Sequence, residues 1–408
     1  MGHRRRVLAL AILLSVVAVA CSGGDSGPKG VGTAEGKPLV VGMINMEDTP
    51  IGSFPELRRD AEAAVRYVNE ELDGVDDRPI QLEACATQGT PESSQACANE
   101  LRAKNAVAVL GGIDLGAAAS LPVFEKAGIP YLSMTPALGD ELSSTTSFTL
   151  TGGLAADLLG QVDYITGTLK ATRVGVVHLD LPGLQSAAVL AARTILQRRG
   201  VTDLKIVSEK AEAADFVPAL RAATAGNPEV LMVVFPAQGC SRILQAAQAL
   251  RIRARLFLPS GCATQEVFDA GGETVEGVTF ASGLLPYTDT GNPEVATYRE
   301  KLNRYASGAT PSLLSQAGFA LVMNLHRLLT GLGSDALTPN ALTEKLRATN
   351  DEPSFMGHPY TCDNRQVSLL PAVCSGWVRL LQYQGQDQFE DITGDWVSGA
   401  ELLKILTG

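Results

Sequence analysis

Short apolar, often β-branched runs alternate with longer segments of helical spacing along most of the chain. Leu39-Val40-Val41-Gly42-Met43-Ile44 reads as a buried strand. In Phe54 to Leu72, Leu57, Ala61, Ala64, Val65 and Val68 share one helical face with charges opposite. Ile80 to Glu83 predicts a strand, and Thr90-Pro91-Glu92 starts a helix running to about Lys104: a hydroxyl cap, a first-turn proline and an acid at the positive dipole end. Val107 to Leu110 is a continuous apolar strand, a helix covers about Gly116 to Ala127, and Tyr131 to Ser133 is the next strand.

The alternation repeats after about Thr151. Helices are predicted over Ala155 to Leu169, Gln185 to Arg199, from a cap at Asp215, and over Ser241 to Leu250. Between them lie strands at Val174 to Val177, Leu204 to Val207, Val230 to Val234, Leu256 to Leu258 and Val278 to Phe280. Fully apolar strands alternating with helices imply parallel sheets covered on both faces. Two such runs imply an α/β fold of two doubly wound, Rossmann-like lobes. Late helices at Pro293 to Tyr305, Pro311 to Leu329 and Pro339 to Leu346 are expected to return to the first lobe. The strand-like stretch Cys362 to Trp396 is expected to return to the second. The expected division is 38–151 with 284–357 for lobe one, and 152–283 with 358–408 for lobe two.

The N-terminus changes the compartment. Arg4, Arg5 and Arg6 precede an apolar run with one serine, Val7 to Ala20, which ends at Ala18-Val19-Ala20-Cys21. That is the layout of a secretory signal over 1–20, too short for a comfortable membrane span. It ends in a lipobox whose Cys21 takes a lipid; the alternative is an ordinary signal with a chance cysteine. Residues 21–37 read as a flexible Gly/Ser/Pro tether. The working protein is therefore expected outside the cytoplasm, lipid-anchored to a bacterial membrane.

The formal charge of −11 grows more negative once the three arginines leave. No basic run remains, which argues against nucleic acid. Beyond Cys21 there are six cysteines, an even set in an exported chain. Fifteen pairings are formally possible; neighbours are expected, Cys85–Cys97, Cys240–Cys262 and Cys362–Cys374. No C-x-x-C or H-x-x-x-H spacing supports the alternative of a metal site, and free buried cysteines are the bland alternative. No G-x-S-x-G elbow, P-loop or H-E-x-x-H occurs, so no enzyme and no cofactor are expected. Gly331 to Ala336 fits a dinucleotide fingerprint loosely but follows a helix, and reads as a helix stop.

Four segments carry a family resemblance: Val40 to Ile44 leading to Gly52 and Val68-Asn69-Glu70-Glu71; Ala108 to Gly112; Gly128-Ile129-Pro130-Tyr131-Leu132-Ser133-Met134-Thr135-Pro136-Ala137; and Ala270 to Val278. In order and spacing the chain resembles the type I periplasmic binding proteins, specifically the branched-chain amino acid (leucine/isoleucine/valine) binding family of ABC transporters. The resemblance implies two lobes joined by crossing hinge segments, closing on a small ligand, and permease subunits as partners. It also implies hydroxyls and backbone N–H groups holding a ligand carboxylate, with a second-lobe acid on its ammonium. The chain departs at those positions. Ile113-Asp114-Leu115-Gly116 replaces a serine run, Leu138-Gly139 follows Ala137 in place of a threonine, and Ser260-Gly261 stands at the expected acid. The usual α-amino-acid clamp is not visible.

Ligands of open parallel sheets sit past the carboxyl ends of strands. That rule counts Asn45, Glu47, Asp48, Asp114, Thr135, His178, Asp180, Gln238 and Ser260, of which Glu47, Asp114, Thr135, Asp180, Gln238 and Ser260 are the candidate ligand contacts. The acids among them favour an amine or neutral polar ligand over a carboxylate. All but Asp180 have a plainer reading: Asp114 as a helix cap, Glu47 as a solvated loop charge, Thr135 as bonded to its own loop, Gln238 and Ser260 as turn or cap residues. The expected function is a monomeric, lipid-anchored solute-binding component of an ABC import system, taking an amino acid, amide or amine. A receptor of the same fold is the alternative, and an extracytoplasmic hydrolase a further one.

Overall fold

The computed structural model describes residues 34–49, 52–137, 139–181, 189–367 and 369–407. The expected signal, Cys21 and most of the tether lie outside the described residues.

Five strands, β1 (Leu39–Met46), β2 (Ile80–Thr87), β3 (Val109–Gly111), β4 (Tyr131–Ser133) and β5 (Ser147–Thr149), form one sheet in the order β2-β1-β3-β4-β5. Every pairing is parallel. The unbroken apolar run of β1 follows from burial on both faces. Val41 and Met43 belong to the core shared with Leu57, Ala61 and Val68 of helix Pro55–Glu71. Ile44 packs in a separate core with Leu101, Leu121 and Phe124 of helices Pro91–Ala103 and Ala117–Ala127. The start of Pro91–Ala103 is a capping box, with Thr90 and Ser93 bonding reciprocally.

The late helices do return here. Tyr298 of helix Pro293–Tyr305 donates to Asp60 at 2.8 Å, and Lys301 to Glu71 at 2.8 Å. Helix Gln316–Thr330 crosses Pro55–Glu71 so closely that a Cβ on Gly318 would stand 2.1 Å from the Leu57 carbonyl oxygen.

The second sheet repeats the winding. Strands β6 (Arg173–Leu179), β7 (Asp203–Glu209), β8 (Val230–Val234), β9 (Arg255–Leu258) and β10 (Thr279–Ser282) run parallel in the order β7-β6-β8-β9-β10. The sheet as a whole is mixed, its antiparallel strands coming from the C-terminal stretch. Strand β11 (Trp377–Tyr383) pairs antiparallel with β10, and both β12 (Phe389–Asp391) and β13 (Val397–Ser398) pair antiparallel with β11. Strands β11 and β12 are joined by a short turn through Gly385, Gln386 and Asp387, all at positive φ. Such a turn permits only an antiparallel neighbour.

Residues 372–374 run along the free edge of β5. Thr149 N–H donates to Ala372 O and Cys374 N–H to Thr149 O, both at 2.9 Å. An open edge strand is thereby satisfied. The chain crosses between sheets near Thr151, Gly283 and Gly376, and these crossings touch. A Cβ on Gly283 would meet the Thr151 side chain at 2.9 Å, and one on Gly152 would lie 3.5 Å from Gly376 Cα. Disulfides join Cys85–Cys97, Cys240–Cys262 and Cys362–Cys374, the neighbour pairings. Among the described residues, no helix is long and apolar enough to cross a membrane.

Candidate functional site

A cavity of about 150 Å³ lies where the carboxyl ends of both sheets face each other. In each sheet it borders the point where strand order reverses, between β1 and β3 on one side and β6 and β8 on the other. Open α/β sheets leave a crevice at that point. From the first sheet come Met46 at the end of β1, Ile113 and Leu115 past β3, and Met134 and Thr135 past β4. From the second come Leu179 at the end of β6 and Leu181 past it, Phe235 past β8, and Pro259 and Ser260 past β9. Thr151 and Gly283 of the crossings complete the wall, so lobe movement would reshape it.

Thr135 and Ser260 are thus the sequence candidates that the structure brings together. The others are not on the lining. Glu47 is buried and turned into its own lobe, where Arg58 grips both oxygens at 2.8 and 2.9 Å and Asn45 donates at 3.1 Å. Burial pushes its carboxyl up, but the Arg58 and Asn45 hydrogen bonds and the Arg58 charge outweigh that and hold it below the ordinary glutamate value. Asp114 is wholly buried and works as a structural anchor. It accepts from Ser94 Oγ at 2.5 Å, Gly116 N–H at 3.0 Å and Ser120 Oγ at 3.0 Å. Burial raises its carboxyl, and those three donors offset part of the rise. The cap reading of Asp114 therefore replaces the ligand reading. Asp180 is exposed, its N–H donating to Glu209 O at 2.8 Å, and Gln238 is exposed in the first turn of helix Ala237–Leu250. Neither borders the cavity.

The acidic cleft expected from strand-end positions is accordingly absent from the lining. The wall is mainly aliphatic and aromatic, and among the described residues one carboxylate enters it: Asp157, 3% exposed, from helix Gly153–Gly167. Its Oδ2 accepts from Ser260 Oγ at 3.1 Å and Ser260 N–H at 3.4 Å. Burial pushes this carboxyl up to about 7 against the pull of those donors. Sequence reasoning missed it because it stands inside a helix rather than at a strand end. The available signal was an acid within the otherwise apolar run Leu154 to Leu159.

The rim is rigid. Asn45 donates to Phe54 O at 2.7 Å and accepts from Ile113 N–H at 3.2 Å, fixing two lining residues. On the other lobe Cys240–Cys262 ties helix Ala237–Leu250 to the turn after β9, with Phe235 O within reach of both sulfurs. Among the described residues, no group of three or more His, Cys, Asp or Glu is placed to hold a metal.

Two wound sheets joined by touching crossings, with a cavity between their strand ends, define the two-lobed solute-binding fold. The chain belongs to the periplasmic binding protein family, which it matches over residues 38–369. Its structure is similar to that of an ABC transporter substrate-binding protein from Sphaerobacter thermophilus (TM-score 0.74, 18% identity, 89% of this chain and 99% of that one). It is also similar to the leucine binding protein LivK from Thermotoga maritima (0.72, 17%, 89% and 99%). A third likeness is to the branched-chain amino acid transporter substrate-binding protein LivJ from Streptococcus pneumoniae, solved with isoleucine (0.70, 16%, 87% and 98%). The fold is that of the type I periplasmic binding proteins. No curated protein matches the chain in sequence.

Proposed function

We propose that the protein is the extracytoplasmic solute-binding component of an ABC import system, anchored through a lipid on Cys21. It holds a small molecule between its lobes and presents the closed form to permease subunits. The observation that carries this reading is the cavity itself, bordered by strand ends of both lobes of a periplasmic binding protein. Residues from both sides would contact one ligand, so ligand binding would favour closure. Thr135, Ser260 and Asp157 are the polar groups we assign to it. The lobe division we propose is 38–151 with 284–357, and 152–283 with the C-terminal strands, the segment 361–374 moving to the first lobe.

Thermal-shift and calorimetric screening of the full chain against amino acids, amides, amines and sugars tests the binding role. Saturable binding at one site per chain is expected, and a flat response across all four classes would refute it. For the anchor, Cys21→Ser should move the protein from the membrane fraction to the soluble one. An unchanged distribution would refute lipidation.

A further inference from the structure

We infer that the cavity takes an apolar monoamine: a hydrocarbon body with one ammonium group and no carboxylate, the ammonium meeting Asp157. The inference rests on the solute-binding reading above.

Apart from the Thr135 hydroxyl, most donors that would hold a carboxylate are already committed. Ser260 gives both its hydroxyl and its N–H to Asp157. The Thr151 hydroxyl donates to Met134 O at 2.7 Å. Thr135 N–H goes to Ser133 Oγ at 3.1 Å, Ala137 N–H to Glu141 at 2.9 Å and Gly153 N–H to Thr151 Oγ1 at 3.3 Å. An anion entering here would find few free donors and, above about pH 7, the ionised carboxylate of Asp157.

A cation would find the reverse. Asp157 Oδ2 is occupied, whereas Oδ1 accepts no hydrogen bond from the described residues. No Arg, Lys or His stands among the lining residues, and the segments 50–51, 138 and 182–188 contain no charged residue. A carboxylate in an apolar wall without a counter-charge is costly, and an ammonium supplied by the ligand offsets part of that cost. The rest of the wall (Phe54, Ile113, Leu115, Met134, Leu179, Phe235) asks for hydrocarbon. A cavity of about 150 Å³ suits a body of roughly six to ten non-hydrogen atoms, benzene filling a cavity of that order in another protein.

The experiment is isothermal titration calorimetry of the full chain at pH 8. The probes are phenethylamine, isoamylamine, 2-phenylethanol, 3-phenylpropanoate, phenylalanine and leucine. One or both amines are expected to saturate one site per chain, at least about tenfold tighter than the alcohol, acid or amino acid of matching body. Asp157→Asn, which keeps size and an acceptor for Ser260, should lower amine affinity at least about tenfold and alcohol affinity much less. Circular dichroism checks that the variant is folded; the wild-type preference for amine over alcohol tests the claim without any variant. Equal binding of amine and alcohol, tighter binding of an acid or amino acid, or unchanged amine affinity in Asp157→Asn would overturn the ligand class and leave the solute-binding role standing. Silence from both amines also overturns it; the broader role fails only if the four-class screen is flat as well.

Discussion

Asp157→Asn should change how stability depends on pH, by an amount that follows from burial. In the fold the Asp157 carboxyl titrates at about 7, against an ordinary value of 3.8. Below 3.8 both folded and unfolded chains hold the proton, and ionisation costs the fold nothing. Between the two values the unfolded chain has released it while the folded chain keeps it. Stability therefore falls as pH rises, by about 1.4 kcal/mol per pH unit, and levels off above about 7. The whole cost is on the order of 4 kcal/mol, of which roughly 3 kcal/mol falls between pH 5 and pH 8. Asparagine does not ionise, so the variant should gain on the wild type by that amount over this range. Other buried acids whose carboxyls are raised, Asp60 and Asp114, are common to both proteins and cancel in the difference. Ligand-free urea denaturation followed by circular dichroism at pH 5, 6, 7 and 8 measures it. A gap that stays constant across the series would show Asp157 ionised in the fold throughout, and the burial argument would fail.

Asp114→Ala should destabilise by about 2–4 kcal/mol in urea, because it strands the Ser94, Gly116 and Ser120 donors in a buried site. Affinity for any cavity ligand should stay within a factor of two; a large loss would restore Asp114 as a contact. Replacing Cys240 and Cys262 together by serine should cost about 3 kcal/mol and weaken ligand binding, since the bridge backs Phe235 and the turn carrying Ser260. The same replacement at Cys85 and Cys97 should affect stability alone, as calorimetry on both variants will show. Gly318→Ala should cost about 1–3 kcal/mol, its methyl forcing helix Gln316–Thr330 away from the Leu57 carbonyl; an unchanged urea midpoint would mean that contact is loose.

What could be read from the chain depended on whether a residue's role is set locally. The strands of both sheets were legible because burial on two faces demands unbroken apolar runs such as Val230 to Val234. The Thr90 cap was legible because capping needs only residues three apart. The antiparallel β11–β12 pair was not, since its direction depends on a turn of positive-φ residues that includes Gln386 and Asp387, side chains that do not require that conformation. The candidate site divided along the same line. Counting residues past strand ends located Thr135 and Ser260, because position along a parallel strand fixes proximity to the crevice. The same count admitted Glu47 and Asp114, whose direction is decided by partners that the rule does not see: Arg58 on the next helix, and Ser94 and Ser120 on two others. Asp157 fell outside the count altogether, although the helix carrying it begins where the chain first crosses between lobes. A carboxylate in an apolar helix is costly wherever that helix is buried, so its presence there asks for a compensating partner. In this fold Ser260 supplies part of that compensation from within the second lobe, and the unfilled oxygen leaves the remainder to whatever enters between the lobes.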